Sequence, residues 1–380
     1  MYLRKQIFEG SENESLFLWG ARQTGKSTLL KSLFNDSLWF DLLKTDIFEQ
    51  LNRKPSQLRE IILATQPQKP IIIDEIQKIP ALLNEIHWLI ENNHNNFILS
   101  GSSPRKIIRS ESNLLGGRAL RYELFPLTSA EIPDFDLKRA LNNGLLPRHY
   151  LSNNPKKLIS AYIGNYLKEE IIAEARIRNA SLFSLFLEMA AFSNGEIINY
   201  SNIASECGVS APTVREYFQI LIDTLTGRFL PPFQKKPKRR VIQAPKFYFF
   251  DIGIVNYLLK RGEIEIGSEA FGHAFEHFIY QEITAHSHYS GLNYPVHYWR
   301  TASQIEVDFI LGDHETAIEV KSTRNAIPRH AKGLQHFAEE YTVKNQILIT
   351  NDTYPRQMGD CLVLPWQIFL QKLWAGELIS

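Results

Sequence analysis

The chain has little cysteine, no excess charge of either sign and no long apolar run. Its two cysteines, Cys207 and Cys361, lie far apart in 380 residues, which excludes a disulfide framework and favours a reducing compartment. The formal net charge is only +1, so any nucleic-acid surface must be local. No stretch approaches the roughly 18 apolar residues of a membrane span, and the N-terminus lacks a signal-peptide core. These absences predict a cytoplasmic protein without membrane contact.

Residues 17–29, FLWGARQTGKSTL, contain the motif G-x-x-x-x-G-K-[ST]. An apolar strand precedes the motif and apolar residues at helical spacing follow it, which is the context that a phosphate-binding loop requires. The loop amides and the helix start would cradle the phosphates of ATP, while Lys26 reaches the β- and γ-phosphates and Ser27 ligates Mg²⁺. The predicted nucleotide-binding residues here are Gly20, Ala21, Arg22, Gln23, Thr24, Gly25, Lys26, Ser27 and Thr28.

A second apolar run, residues 71–75, reads IIIDE. Consecutive β-branched residues predict a strand buried on both faces, as in a parallel sheet. Asp74, at the strand's end, is predicted to sit beside the magnesium ion of Ser27, and Glu75 to act as the base for the attacking water. The alternative for Glu75 is an acid that caps a helix after a core strand.

The next apolar run, residues 96–100, ends in small polar residues. Ser100 and Ser102 both suit a sensor that hydrogen-bonds the γ-phosphate or the attacking water, and the sequence does not choose between them. A loop with a helix cap is the alternative for each serine.

Arg118 follows two glycines and precedes a strand-like run, so it is predicted to be exposed and rigidly placed. Such an arginine can reach the γ-phosphate of a neighbouring subunit as an arginine finger, which predicts a homo-oligomer such as a ring or hexamer. Arg121 is a second, weaker candidate. The alternative is a surface arginine in a salt bridge.

Five segments together resemble AAA+ ATPases fused to a DUF4143 C-terminal region: residues 20–27, 71–80, 100–103, 116–118 and 124–128. The resemblance covers essentially the whole chain and implies an AAA+ ATPase core at 1–128 and a helical lid or connector at 129–180. The chain departs from the family at residues 143–148, NGLLPR, where Gly-Gly-[Phe/Tyr]-Pro-Glu is usual. Aliphatic residues replace the aromatic one there, and Arg148 replaces the acid.

Residues 181–244 fit a winged helix-turn-helix. A short helical pattern ends at Gly208, and Ser210 is placed to cap a second, recognition helix that carries Arg215. A basic segment follows and would form a wing that contacts the phosphate backbone of DNA. The predicted nucleic-acid contacts are Arg215, Lys235, Lys236, Lys238, Arg239 and Arg240. Protein interaction or pure architecture is the alternative use of this module.

Residues 245–380 contain a helix with Glu276 and then a hairpin pattern with Asp308, Glu319 and Lys321. A two-residue turn at 313–314 would place Asp308 opposite Glu319, and period-2 alternation puts Lys321 on the same face. This arrangement resembles the PD-(D/E)XK nuclease fold. That resemblance implies that Asp308 and Glu319 hold Mg²⁺, that Lys321 activates water, and that Glu276 is the acid of the fold's first helix.

The sequence therefore predicts an α/β protein in which a P-loop AAA+ domain with a parallel sheet precedes a winged helix-turn-helix and a restriction-endonuclease-like α/β domain. The predicted function is ATP hydrolysis coupled to action on DNA, with ATP and Mg²⁺ as cofactors and a nuclease-like site that cuts. The alternative is a nucleotide-controlled switch that binds DNA or protein, with an inactive C-terminal scaffold.

Overall fold

A computed structural model describes residues 2–8, 14–105, 107, 115–172, 177, 179–235 and 241–379, with only the backbone of 168–170. The chain divides into two compact units. The first, here called the N-terminal unit, comprises residues 4–126 and 219–226. The second, the C-terminal unit, comprises residues 1–3, 127–218 and 227–380.

The N-terminal unit is built on a five-stranded parallel sheet in the order β2-β3-β4-β1-β5. Its strands are β1 Ser15–Trp19, β2 Trp39–Asp41, β3 Ile71–Asp74, β4 Phe97–Gly101 and β5 Ala119–Glu123. Its helices are α1 Lys26–Leu33, α2 Thr45–Arg53, α3 Ser56–Thr65 and α4 Leu82–Asn93. This is the sheet that the apolar runs predicted. The carboxyl ends of β1, β3 and β4 meet at one edge, where the phosphate loop lies.

Burial explains why these runs form strands. Phe17, Ile71, Ile73, Phe97 and Leu99 are fully buried in one core. A strand with apolar residues on both faces requires cover on both faces, and a parallel sheet with crossover helices provides it.

The first half of the C-terminal unit is helical. Its helices are α5 Leu137–Asn143, α6 Pro147–Tyr150, α7 Pro155–Ala161, α8 Ala180–Phe192, α9 Tyr200–Cys207, α10 Ala211–Asp223 and α11 Ile252–Leu258, with a π-helix at Tyr162–Glu170 between α7 and α8. These α7 and π-helix segments lie within the range of the predicted helical lid or connector, residues 129–180. Residues 219–223 of α10 belong to the N-terminal unit.

Helices α9 and α10 lie where the sequence predicted the two helices of a helix-turn-helix. Gly208 ends α9 in the left-handed region, with φ of 64°. The hydroxyl of Ser210 accepts a hydrogen bond of 3.3 Å from the Thr213 amide, as an N-cap does.

The second half of the unit contains a six-stranded mixed sheet in the order β12-β13-β11-β10-β9-β8. Its strands are β8 Val296–Arg300, β9 Glu306–Leu311, β10 Thr316–Val320, β11 Asn345–Thr350, β12 Arg356–Met358 and β13 Cys361–Pro365. The helices are α12 Glu269–Tyr289, α13 Lys332–Ala338 and α14 Trp366–Trp374. The short strand β12 was not predicted. Leu311 pairs with Thr316 and Phe309 with Ile318, and the amide of Val320 donates to Oδ2 of Asp308 at 2.8 Å. The position of Asp308 opposite Glu319 stays a prediction.

Strands β6 Gly227–Leu230 and β7 Lys246–Phe249 form a separate antiparallel pair. Pro232 and Val241, which flank the basic cluster, form bridges to Tyr298 and Thr301 beside the edge strand β8, which offers unpaired backbone groups. The wing stays a prediction, because residues 236–240 lie outside the described residues.

Within the described ranges, none of the helices combines the length and the apolar character that crossing a bilayer demands.

Candidate active sites

The phosphate loop lies between β1 and α1. Its second glycine, Gly25, has φ of 97°, which a residue with a side chain rarely adopts. Nζ of Lys26 donates to the carbonyl oxygens of Gly20 at 2.8 Å and Ala21 at 3.2 Å. Burial lowers the pKa of Lys26 to about 8, although Glu75 and Asp74 oppose this shift. A buried ammonium group at the start of a helix is suited to bind an anion.

The loop serine and the strand aspartate are in direct contact. The hydroxyl of Ser27 donates to Oδ2 of Asp74 at 2.6 Å. The hydroxyl of Ser100 donates to the other oxygen, Oδ1, and Ser100 pairs with Asp74 across β3 and β4. Asp74 is 3% exposed, so its carboxylate is fixed between two hydroxyl groups. A hydroxyl beside a carboxylate is a suitable pair of oxygen ligands for Mg²⁺.

Glu75 follows Asp74 in the left-handed region, with φ of 62°, and is half-buried. The side-chain amide of Gln77 donates to its Oε2, and the hydroxyl of Ser102 lies 3.3 Å from the same oxygen. The two serines that the sequence could not separate therefore have different partners: Ser100 contacts Asp74, and Ser102 contacts Glu75. Their sensor role stays a prediction.

Arg4 was not predicted as a site residue. Its guanidinium donates to the carbonyl of Thr24 at 2.6 Å and to that of Phe125 at 2.7 Å. Arg4 therefore braces the phosphate loop against the segment after β5. No motif marks it, since its partners lie 20 and 121 positions away.

Arg118 forms an ion pair with Glu91, and both side chains are more than two-fifths exposed. Arg121 is exposed on β5. The structure thus contains the exposed salt bridge that was the alternative for Arg118. The finger role stays a prediction.

In the C-terminal unit, Lys321 joins the two predicted carboxylates. Its Nζ lies 2.6 Å from Oε1 of Glu319 and 3.9 Å from Oδ2 of Asp308. Burial raises the pKa of Asp308, and burial together with Asp308 raises the pKa of Glu319 well above its ordinary value. Burial disfavours the charged form of Lys321 and so lowers its pKa, but the two carboxylates outweigh this effect and raise the pKa above its ordinary value.

Glu276 lies in the same cluster but has other partners. Nζ of Lys246 is 3.4 Å from Oε1 of Glu276 and 2.6 Å from Oε1 of Glu306. The hydroxyl of Tyr248 donates to Oε1 of Glu276 at 2.7 Å. Neither Lys246 nor Glu306 was predicted. Glu306 has a sequence signal, because it lies two positions before Asp308 and shares its face of β9, whereas Lys246 has none.

The acids of this cluster offer a limited set of metal ligands. No group of three or more His, Cys, Asp or Glu side chains with the arrangement of a metal site occurs within the described ranges. Asp308 and Glu319 are the pair that could hold Mg²⁺, and Oε2 of Glu319 is buried without a hydrogen-bond partner among the described residues. Glu276 already forms an ion pair with Lys246 and a hydrogen bond with Tyr248.

The predicted nucleic-acid contacts fall partly outside the described residues. Arg215 stacks over the ring of Tyr200 at 4.0 Å from its centroid. Lys235 pairs with Asp313. The rest of the basic cluster, Lys236, Lys238, Arg239 and Arg240, lies outside the described residues.

The turn at residues 143–148, where the sequence departs from the family pattern that it otherwise resembles, is held by contacts of its backbone amides. Oδ2 of Asp251 accepts from the amides of Leu145 at 2.6 Å and Leu146 at 3.1 Å. Gly144 has φ of 77°, and a Cβ there would collide with Asp251. Because Asp251 binds main-chain amides, the aliphatic side chains of this chain do not alter the contact.

Comparison with protein families divides the chain into three consecutive matches. Residues 12–133 match the AAA domain. Residues 134–265 match a domain of unknown function, DUF8612, and residues 271–369 match another, DUF4143.

One curated relative is an uncharacterized protein of Methanocaldococcus jannaschii, which is 22% identical over 81% of this chain and 74% of its own length. Among solved structures, a STAND ATPase with a tetratricopeptide repeat sensor from Pyrococcus horikoshii is 15% identical over 73% of this chain, with a TM-score of 0.22. The chain spans only 46% of that protein. The Aeropyrum pernix ORC1 protein in complex with DNA is 12% identical over 65% of this chain and 86% of its own, with a TM-score of 0.21.

Proposed function

We propose that this chain, which carries an AAA domain at its N-terminus and a DUF4143 domain at its C-terminus, hydrolyses ATP. The contact between Ser27 and Asp74 is the observation that carries the proposal. It joins the phosphate loop to the acidic end of β3, and these are the two groups with which P-loop NTPases hold Mg²⁺. Mg²⁺ held by Ser27 and Asp74 would neutralise charge on the β- and γ-phosphates.

Glu75 is the proposed general base. Its carboxylate accepts a proton from water, and the water oxygen forms a bond to the γ-phosphorus. The bond from the γ-phosphorus to the bridging oxygen breaks, and that oxygen leaves with the electron pair on ADP. Lys26 donates to the phosphate oxygens on which the charge is spread.

Arg118 is the proposed finger of a homo-oligomer. Its half-exposed ion pair with Glu91 supports this role, because such pairs are weak and exchange partners readily. A γ-phosphate of a neighbouring subunit is a stronger partner for a guanidinium than an exposed carboxylate.

The first test is ATP turnover by wild-type and Lys26→Ala protein with Mg²⁺. The substitution removes the cation of the loop, so turnover should fall to background. Persistent hydrolysis by a folded Lys26→Ala variant would contradict the assignment of the loop.

We infer a second candidate function, Mg²⁺-dependent cleavage of DNA in the C-terminal unit. The antiparallel pairing of β9 with β10, which carry Asp308 and Glu319, and the contacts of Lys321 with both carboxylates favour it. Two carboxylates and a lysine can hold a metal ion and orient the attacking water. The helix-turn-helix pair and the basic cluster at 235–240 support DNA as the substrate.

The competing account is a nucleotide-controlled switch with an inactive scaffold. Lys246 favours this account, because it places a buried cation between Glu276 and Glu306, close to where a metal ion would bind. The two accounts predict different results with plasmid DNA, as described below.

A further inference from the structure

A glutamine that no motif identifies connects the proposed base with the neighbouring strand. The side-chain nitrogen of Gln77 donates to Oε2 of Glu75 and, at 3.0 Å, to the hydroxyl of Ser102. Ser102 in turn lies 3.3 Å from the same Oε2. The three side chains form a closed triangle at the carboxyl ends of β3 and β4.

The fold makes room for this glutamine. Gln77 is 5% exposed and lies in the 3-10 turn Ile76–Lys78. Its Oε1 occupies the space beside Gly101, where a Cβ would lie 2.5 Å from it and equally close to the ring of Trp19. A side chain at Gly101 would therefore have to displace the Gln77 amide or the Trp19 ring.

The two oxygens of Glu75 have different environments. Both donors of the triangle, Gln77 and Ser102, contact Oε2 of Glu75. Among the described residues, no group donates a hydrogen bond to Oε1. A carboxylate fixed through one oxygen keeps the other available to accept a proton from water. Glu75 is half-buried, and its charge acts on Lys26 of the phosphate loop, so the carboxylate lies near the place where the phosphates would bind.

We infer that Gln77 is the positioning residue of the general base: it fixes the carboxylate of Glu75 through Oε2 and, with Ser102, aims Oε1 at the attacking water. This inference rests on the proposed ATP hydrolysis. In this inference Ser102 helps to orient the general base Glu75, whereas Ser100 contacts Asp74. A glutamine with a purely structural role would support the fold without affecting catalysis separately from binding.

The experiment compares Gln77→Met, which keeps the length of the side chain and removes its donor, with Glu75→Gln and the double variant. Steady-state hydrolysis gives kcat and KM, and a fluorescent ATP analogue gives nucleotide affinity. Ser102→Ala, which removes the smaller of the two supports, provides a second variant if Gln77→Met does not fold. Thermal unfolding of each protein checks the fold.

Gln77→Met should lower kcat by about 10- to 100-fold, part of what a general base contributes, with KM and affinity within about twofold. Ser102→Ala should lower kcat less. In the Glu75→Gln background, Gln77→Met should have no further effect, because the base that it positions is gone. The inference would be overturned if Gln77→Met left kcat unchanged, or if it weakened nucleotide affinity as much as it lowered kcat. It would also be overturned if the double variant lost kcat by the product of the two single losses. If Glu75→Gln itself leaves kcat unchanged, the proposed role of Glu75 fails instead.

Discussion

The hydroxyl of Ser27 donates a hydrogen bond of 2.6 Å to Oδ2 of Asp74, 47 positions further along the chain. This bond connects α1, the helix that follows the phosphate loop, with the end of β3. Asp74 cannot turn away, since Ser100 holds its other oxygen. The pair is thus fixed before a nucleotide binds, and ligands that are already in place avoid the cost of ordering them.

Asp74→Asn should lower ATP turnover by at least about 100-fold, because it removes the negative charge that faces the metal ion. It should also abolish the Mg²⁺ dependence of nucleotide affinity, measured by titration of a fluorescent ATP analogue with and without EDTA. Ser27→Thr is the matched control, since it keeps a hydroxyl group and should retain turnover. An Asp74→Asn protein with normal Mg²⁺-dependent affinity would refute this assignment.

Mixing Arg118→Ala with Glu75→Gln protein should restore part of the ATP hydrolysis that each variant lacks alone. At mixed interfaces, an intact Arg118 from one subunit meets an intact Glu75 of its neighbour. The measurement is phosphate release across a series of mixing ratios.

Glu91→Gln provides the control for Arg118. It breaks the exposed ion pair without removing the arginine, so hydrolysis should stay at the wild-type rate or rise. If no mixing ratio of the two defective proteins recovers activity, Arg118 does not act between subunits.

Purified protein with Mg²⁺ and ATP should cleave plasmid DNA if the C-terminal site is competent, and Asp308→Ala should not. Asp360→Ala, which removes an exposed carboxylate of the same unit, is the control and should cleave normally. Cleavage by wild type and Asp308→Ala alike, or by neither, would reject the nuclease proposal and leave the switch account.

Reversing the charge of Lys235, Lys236, Lys238, Arg239 and Arg240 should weaken DNA binding and flatten its dependence on salt. Each phosphate contact that is lost reduces the slope of log K against log salt by about 0.9 for duplex DNA. Fluorescence anisotropy at several salt concentrations measures both quantities. An unchanged affinity and slope would favour a module that binds protein.

His149→Leu should make the protein less sensitive to acid. His149 is fully buried, and neither ring nitrogen has a hydrogen-bond partner among the described residues. Burial, assisted by Arg148, lowers the pKa of His149 to about 4. A lowered pKa in the folded state gives stability that is fully present above the ordinary value of 6.5 and is lost as the pH falls through 4.

Between pH 7 and pH 5 the wild type should therefore lose about 2 kcal/mol more unfolding free energy than His149→Leu. Urea unfolding at the two pH values measures the difference. Equal losses in both proteins would show that His149 does not contribute to acid sensitivity.

Local patterns predicted much of the fold. The β-branched run at 71–73 is a buried parallel strand, and the hairpin pattern that carries Asp308 and Glu319 is an antiparallel strand pair. These features depend on residues that are close in sequence, where side-chain alternation and turn length determine the geometry.

The unpredicted contacts join distant parts of the chain. Arg4 reaches Thr24 and Phe125, and Lys246 reaches Glu306 on another strand. A local sequence pattern predicts neither the partner of such a contact nor how far along the chain the partner lies. The same reason explains why the flanks of the basic cluster pair with β8, since an open sheet edge attracts backbone groups whatever their sequence.

The most direct test of the account is ATP turnover by wild-type and Glu75→Gln protein, with nucleotide affinity measured on both. Wild type should hydrolyse ATP in the presence of Mg²⁺. Glu75→Gln should bind ATP normally and hydrolyse it at least about 100 times more slowly, because it cannot accept the proton of the attacking water. Equal turnover by the two proteins, or no hydrolysis by wild type under any Mg²⁺ condition, would contradict the account.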